Sequence, residues 1–141
     1  MKTLKSIMMG AALVAICGIA NAAAKTDVPL TEDYAINTYI NATTKGDLSG
    51  INAVVDNGAK FSLLQDKKIV SYNKQDELAY LKSNKNVQLD CTTSTNVVEN
   101  NADNAVVEVD MKYADHTRAD YVTMINTDAG WKITDVYSVF K

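Results

Sequence analysis

The chain has few of the residue types that build dense chemical sites. Its 141 residues include one proline, one tryptophan, one histidine and two cysteines. The histidine, His116, lies in a turn-like segment, and no other residue is spaced to form a metal site or a catalytic dyad with it. Glycine-rich phosphate loops and metal-binding motifs do not occur either. We therefore expect no metal and no cofactor.

Cysteine and arginine are scarce in ways that exclude two further features. Cys17 lies in an apolar N-terminal run, so Cys91 is the one cysteine left in the remaining chain, which cannot form an internal disulfide. Arg118 is the only arginine, which argues against an anion site built from several guanidinium groups. The chain is also acidic, with 14 Lys and Arg against 17 Asp and Glu. This balance disfavours nucleic acids and anionic membrane surfaces as partners.

The first 22 residues have the layout of a secretory signal peptide. Lys2 and Lys5 precede an uncharged apolar run, and Ala20-Asn21-Ala22 supplies the small residues of a cleavage site. The run is too short for a membrane-spanning helix. We therefore expect removal of residues 1–22 and export to the periplasm or the medium, with no membrane attachment afterwards. The exported chain has 12 basic and 17 acidic residues, a net charge of −5.

An alternative is lipid modification at Cys17. Val14-Ala15-Ile16-Cys17 resembles a lipobox, although the bulky Ile16 stands where a small residue is typical. With ordinary cleavage, residues 23–29 form a loose leader and residues 30–141 form a single domain.

Helical spacing dominates the first half of this domain. Thr31 is a good N-cap for a first helix that ends at Lys45-Gly46. A second, shorter helix is expected from Asp47 to Asn57-Gly58, and Asn73 caps a third. Between the second and third helices, two short strands are predicted, from Phe61 to Leu64 and from Ile69 to Tyr72.

After Asn86 the period of the apolar residues changes to two. Alternation predicts four strands, which begin at Val87, Ala105, Thr117 and Gly130. The joints between the later strands are short and rich in turn residues, which favours antiparallel pairing. The prediction is an α+β fold with three N-terminal helices packed on a curved, mainly antiparallel sheet.

Two motifs resemble those of a known family. They are Tyr39-x6-Gly46-Asp47-Leu48-x-Gly50-Ile51 and Gly130-Trp131-Lys132-Ile133. In these two motifs, the domain resembles members of the nuclear transport factor 2-like superfamily. The resemblance implies a cone-shaped fold with an apolar pocket at its open end. Members include isomerases, dehydratases, epoxide hydrolases and exported domains without known activity, so the fold alone does not identify the function.

The ketosteroid isomerase branch of that superfamily provides a comparison for catalytic residues. Tyr39 occupies the position of its oxyanion-donating tyrosine, and the acidic oxyanion partner falls near Asp120-Tyr121. The aspartate that serves as general base is replaced here by Leu63, which cannot take a proton. The resemblance therefore implies a pocket with a donor but without an evident catalytic base.

Asp135 is a weak candidate for a catalytic acid. Strict alternation with Trp131 and Ile133 would point its carboxylate inward, whereas a bulge at Thr134-Asp135 would return it to solvent. The predicted ligand-binding residues combine the tyrosine of the first helix with side chains of the strands. They are Tyr39, Leu63, Met111, Tyr121 and Tyr137.

Three functions remain open from the sequence. The first is an exported domain that binds a small apolar or aromatic molecule in a tyrosine-lined pocket. The second is an isomerase or dehydratase that uses Tyr39 and an inward acid such as Asp135. The third is a protein-interaction or homodimerisation module that uses the outer sheet face, which we expect to carry solvated residues such as Glu108, Asp110, Lys112 and Arg118.

Overall fold

The structure, a computed structural model, describes residues 28–141. The predicted signal peptide and most of the predicted leader lie outside the described residues. The elements, in chain order, are α1 (Glu32–Lys45), α2 (Ile51–Val54), β1 (Val55–Gln65), β2 (Lys68–Asn73), α3 (Lys74–Ser83), β3 (Thr92–Asn100), β4 (Asn104–Lys112), β5 (Thr117–Thr127) and β6 (Gly130–Phe140). The α+β class is confirmed, and α3 follows β1 and β2, in the order predicted for these elements.

Helix α1 has the predicted ends. The Thr31 side chain accepts a hydrogen bond from the Tyr34 backbone N–H at 3.1 Å, which satisfies one of the free donors of the first turn. Gly46 ends the helix in the left-handed region with φ of 65°, which glycine adopts without the Cβ penalty. Between these ends, one face of α1 is buried against the sheet, including Ala35 and Tyr39.

The second helix is a single turn, so its predicted extent to Asn57-Gly58 is wrong. Val55 already belongs to β1, where it pairs with Ile133 of β6. Branched residues at Val54 and Val55, followed by Asn57 and Gly58, favour an extended chain over a helix. The predicted strands over residues 61–64 and 69–72 form one hairpin, whose turn residues Asp66 and Lys67 both have positive φ.

Residues 87–91 do not form the predicted start of a strand, because β3 begins at Thr92. The Leu89 N–H donates to the Thr44 carbonyl at 2.8 Å, and the Asn86 N–H donates to the Gly46 carbonyl at 2.9 Å. This segment therefore pairs with the end of α1 instead of with a neighbouring strand. Val87 is exposed, whereas Cys91 packs against the core.

The strands form one mixed sheet in the order β2-β1-β6-β5-β4-β3. Strands β1 and β6 are parallel, and the other neighbouring pairs are antiparallel. The inner face carries the core under α1. Its members on β4, β5 and β6 include Val107, Val109, Val122, Met124, Ile133 and Val136.

A bulge in β6 changes which side chains face inward. Asp135 pairs with Thr123 and Ile133 pairs with Met124, so Thr134 is an extra residue in β6. After the bulge, Val136 and Ser138 are buried on the inner face. Asp135 lies on the opposite face beside the exposed Lys60, its partner in β1. The inward orientation of Asp135 is therefore wrong, and the bulge alternative is confirmed.

Candidate functional site

A cavity of about 670 Å³ lies between α3 and the ends of the central strands. We call it the α3 cavity. Aromatic and apolar side chains provide most of its wall, and carboxylates of α3 and the guanidinium of β5 provide its charges. Its lining residues are Phe61, Ser62, Leu63, Tyr72, Asp76, Glu77, Ala79, Tyr80, Arg118, Ser138 and Phe140.

A buried polar cluster lies beside this cavity and is centred on Asp120. The Tyr39 hydroxyl donates to Asp120 Oδ2 at 2.6 Å, and the Ser138 hydroxyl donates to Asp120 Oδ1 at 2.6 Å. Arg118 Nε donates to the same Oδ1 at 2.8 Å. Asp120 is completely buried, and these three donors supply the partners that a buried carboxylate requires. We call Tyr39, Arg118, Asp120 and Ser138 the Asp120 cluster.

The secondary structure explains why these four residues meet. Tyr39 lies on the buried face of α1. Arg118 and Asp120 are two residues apart on β5 and therefore share one face. The bulge in β6 places Ser138 on that face, directly opposite Asp120. Arg118 is thus part of the cavity wall, and its predicted position on the solvated outer face is wrong.

The electrostatics of the Asp120 cluster keep Tyr39 neutral and Arg118 charged. Burial, followed by the neighbouring Asp120 carboxylate, raises the pKa of Tyr39 well above its ordinary value. Burial acts to lower the pKa of Arg118, but the neighbouring Tyr39 and Asp120 raise it above its ordinary value. The cluster therefore holds an arginine–carboxylate ion pair with a neutral phenol bound to it.

This arrangement changes the role expected for Tyr39. Its side chain is 1% exposed, it does not line the α3 cavity, and its hydroxyl proton is directed to Asp120. Asp120, which lies at the place implied for the acidic oxyanion partner, accepts three hydrogen bonds and pairs with Arg118. It is therefore an acceptor, and neither residue is free to donate to a ligand oxygen as the isomerase comparison implies.

The other predicted ligand-binding residues are divided between three places. Leu63 lines the α3 cavity, as predicted. Met111 is completely buried in the core and is not part of the lining. Tyr121 and Tyr137 pair with each other on the outer face, where the Tyr121 hydroxyl donates to Glu108 at 3.1 Å. Their predicted place in the pocket is corrected, because the β6 bulge and the pleat of β5 turn them away.

Glu77 is one of the cavity residues that the sequence analysis did not predict. Within residues 28–141 its carboxylate has no hydrogen-bond or ion-pair partner, although it lines the cavity together with Arg118. Burial is the main cause that raises its pKa, while Arg118 lowers it and Asp120 raises it further. A spacing of four from the buried Leu81 places Glu77 on the sheet-facing side of α3. From that spacing, the sequence could have predicted the inward position of Glu77.

The described residues hold no cluster of His, Cys, Asp and Glu that could bind a metal ion. Within the same residues, no helix combines the length and the apolar character needed to cross a membrane. The cavity wall offers hydrogen bonding and charge from Asp76, Glu77 and Arg118, next to aromatic surfaces.

Comparison with solved structures identifies the fold as nuclear transport factor 2-like. A protein of unknown function from Silicibacter pomeroyi with this fold matches with a TM-score of 0.65 and 16% identity, over 77% of this chain and 92% of that chain. One from Shewanella baltica has a TM-score of 0.61 and 12% identity, over 77% and 89%. One from Rhodospirillum rubrum, described as of unknown function in nutrient uptake, has a TM-score of 0.56 and 19% identity, over 77% and 97%.

The sequence comparison gives the family. Residues 32–138 match the family described as "putative lumazine-binding", and the chain belongs to that family. The comparison with curated proteins found no match. The predicted membership of the nuclear transport factor 2-like superfamily is confirmed, whereas the cone shape stays a prediction.

Proposed function

We propose that this protein is a non-catalytic domain that binds a small, flat aromatic molecule in the α3 cavity. The observation that carries the proposal is the composition of the cavity wall. Phe61, Tyr72, Tyr80 and Phe140 provide four aromatic rings, and the charged groups beside them are few. A volume of about 670 Å³ is in the range of small-molecule sites.

The exposure of the aromatic residues supports this proposal. Tyr72, Tyr80 and Phe140 are 41%, 59% and 54% exposed. Three large rings around one opening leave apolar surface that a flat ligand would remove from water. The description of the family names lumazine, a flat bicyclic heterocycle with polar edges, and a molecule of this kind suits a site with aromatic walls and three charged groups.

The isomerase or dehydratase alternative loses the residues on which it depended. Asp135 lies on the opposite face of the sheet, and the Tyr39 hydroxyl is bonded to Asp120. Leu63 is in the cavity but has no titratable group. The proposal of binding without turnover needs none of these groups.

We further propose that the protein acts after export. The support is the arrangement of residues 1–22, in which a positive start, an apolar run and a small-residue cleavage site follow one another. Homodimerisation stays a prediction.

Calorimetric titration of the purified exported protein with lumazine tests the site. Tyr80→Ala should weaken binding about five-fold, the effect of losing one aromatic contact of about 1 kcal/mol. Val97→Ala is the matched control, because Val97 is also exposed, at 56%, but lies on β3 and does not line the cavity. It should leave the affinity unchanged. Equal affinities for both variants and the wild type would show that lumazine does not bind in the α3 cavity.

A further inference from the structure

Glu77 gives the α3 cavity an acceptor that nothing else in the described chain uses. Its carboxylate lines the cavity and has no hydrogen-bond or ion-pair partner within residues 28–141. An ionised carboxylate only accepts hydrogen bonds and has room for several donors. An N–H group of a ligand would donate the hydrogen bond that no described protein group donates to the Glu77 carboxylate.

Arg118 does not turn the cavity into an anion site. Its Nε is 2.8 Å from Asp120 Oδ1, and its Nη2 donates to the Ser138 hydroxyl at 3.3 Å. The fixed carboxylate of Asp120 therefore balances the guanidinium charge at short range. The charged groups of the cavity and the cluster beneath it are Asp76, Glu77 and Asp120 against Arg118, which is an excess of negative charge.

The aromatic residues that border the cavity also disfavour an anionic ligand. Tyr72, Tyr80 and Phe140 border the cavity that Glu77 lines. The faces of aromatic rings carry partial negative charge and attract cations and the positive edges of N–H groups. A ligand carboxylate would meet both these ring faces and the Glu77 carboxylate.

We propose that Glu77 selects the ligand of the α3 cavity, and that this ligand is a flat aromatic molecule with a cationic or N–H-rich edge, such as an amidine, an aminoheterocycle or a lactam. This inference rests on the proposed function, because it assumes that the cavity binds an aromatic body. It adds that the edge of that body points to Glu77 and that anionic analogues bind more weakly.

Three probes with one aromatic body test the inference. They are 2-naphthamidine, 2-naphthamide and 2-naphthoate, which are cationic, neutral and anionic at pH 7.5. In calorimetric titrations of the wild type, the amidine should bind about ten-fold more tightly than the naphthoate, the effect of one hydrogen bond to a charged group. The amide should fall between them. Equal or tighter binding of the naphthoate would overturn the inference.

Two variants test whether Glu77 causes the preference for the amidine over the naphthoate. Glu77→Gln should reduce the ratio of amidine to naphthoate affinity at least about five-fold while changing amide affinity less than about two-fold. Asp33→Asn is the control for net charge, because Asp33 is exposed in the first turn of α1 and does not line the cavity. It should leave the ratio unchanged.

Binding of the neutral amide distinguishes the proposal that the cavity binds a ligand from the proposal that Glu77 selects it. If the amide binds but Glu77→Gln does not alter the affinity ratio, the role of Glu77 is refuted and the cavity remains a binding site. If no naphthalene probe binds to a wild type that unfolds cooperatively, the binding proposal itself fails. Thermal unfolding of each variant establishes that a change in affinity does not come from loss of the fold.

Discussion

At the scale of single residues, the phenol of Tyr39 supports the structure of the site instead of contacting a ligand. Its hydroxyl bonds to the completely buried Asp120 at 2.6 Å. Tyr39→Phe keeps the ring and leaves Asp120 Oδ2 without its donor. The free energy of unfolding should fall by about 1.5–3 kcal/mol, the value of a hydrogen bond to a charged group. Urea denaturation measures this change, and a loss below about 0.5 kcal/mol would contradict the buried bond.

The same variant has a signature at alkaline pH. Burial, and then Asp120, raise the pKa of Tyr39 in the folded state. The stability that this shift contributes is present below the ordinary tyrosine pKa and is lost as the pH rises toward the folded-state value. The wild type should lose stability above about pH 10, and Tyr39→Phe should lose less. An identical alkaline loss in both proteins would show that Tyr39 does not titrate differently on folding.

Glu77 should destabilise the empty protein at neutral pH. Burial raises the folded-state pKa of its carboxyl group above the ordinary value. The stability associated with this shift is fully present below the unfolded-state pKa and is lost as the pH rises through the folded-state pKa. Glu77→Gln should therefore raise the melting temperature at pH 7 and leave it nearly unchanged at pH 3. A lower melting temperature at pH 7 would contradict the prediction, as would an equal rise at both pH values.

The sequence predicted part of this site for reasons that are visible in single residues. Leu63 was placed in the pocket by the resemblance to the ketosteroid isomerase branch, and the burial of Tyr39 follows from the spacing in α1. Arg118 was placed outside because it is charged, although its spacing of two from Asp120 gives both the same face. Arg118 Nη2 also donates to the Ser138 hydroxyl on the neighbouring strand β6, and this contact depends on the β6 bulge. Alternation within one strand cannot show it.

At the scale of elements, the end of α1 is a tightly packed joint. Gly46 has a φ of 65°, and a Cβ atom there would meet the backbone of Asn84 and Asn86 inside van der Waals contact. Gly46→Ala should lower the free energy of unfolding by about 2–4 kcal/mol through left-handed strain and overpacking. Chemical denaturation measures the change.

Gly58→Ala is the matched control for Gly46→Ala. A Cβ atom at Gly58 would approach only the side chain of Asp56, at 3.3 Å, and the position is exposed in β1. Its effect should stay within about 0.5 kcal/mol. Similar losses for the two variants would mean that the joint between α1 and residues 84–87 is not formed as described.

Elements with local signals were predicted well, and those decided by distant partners were not. Helix α1 has its cap at Thr31 and its stop at Gly46, and β5 and β6 have the predicted bounds. Val55 was predicted in a helix, but it belongs to β1 because it pairs with Ile133 of β6, which is 78 positions later in the sequence. Residues 87–91 alternate like a strand, yet they pair with the end of α1. Tertiary pairing overrode local pattern in both segments.

At the scale of the whole molecule, export should produce a shorter chain. Ala20-Asn21-Ala22 is the predicted cleavage site. Intact mass spectrometry of the exported protein should give a chain that begins at Ala23 or Ala24. A diacylglycerol-modified chain that begins at Cys17 would contradict this prediction and would make the protein a lipoprotein.

The last strand of the chain is also a central strand of the sheet. β6 lies between β1 and β5, and it joins the β2-β1 half of the sheet to the β5-β4-β3 half. A nascent chain that lacks β6 has two disconnected halves and an incomplete core, because Ile133 and Val136 are missing. Folding of this sheet therefore needs β6 (Gly130–Phe140), and it depends on contacts between distant parts of the chain, which are slow to form. This delay would keep the chain unfolded during synthesis, which is the state that the proposed export across a membrane requires.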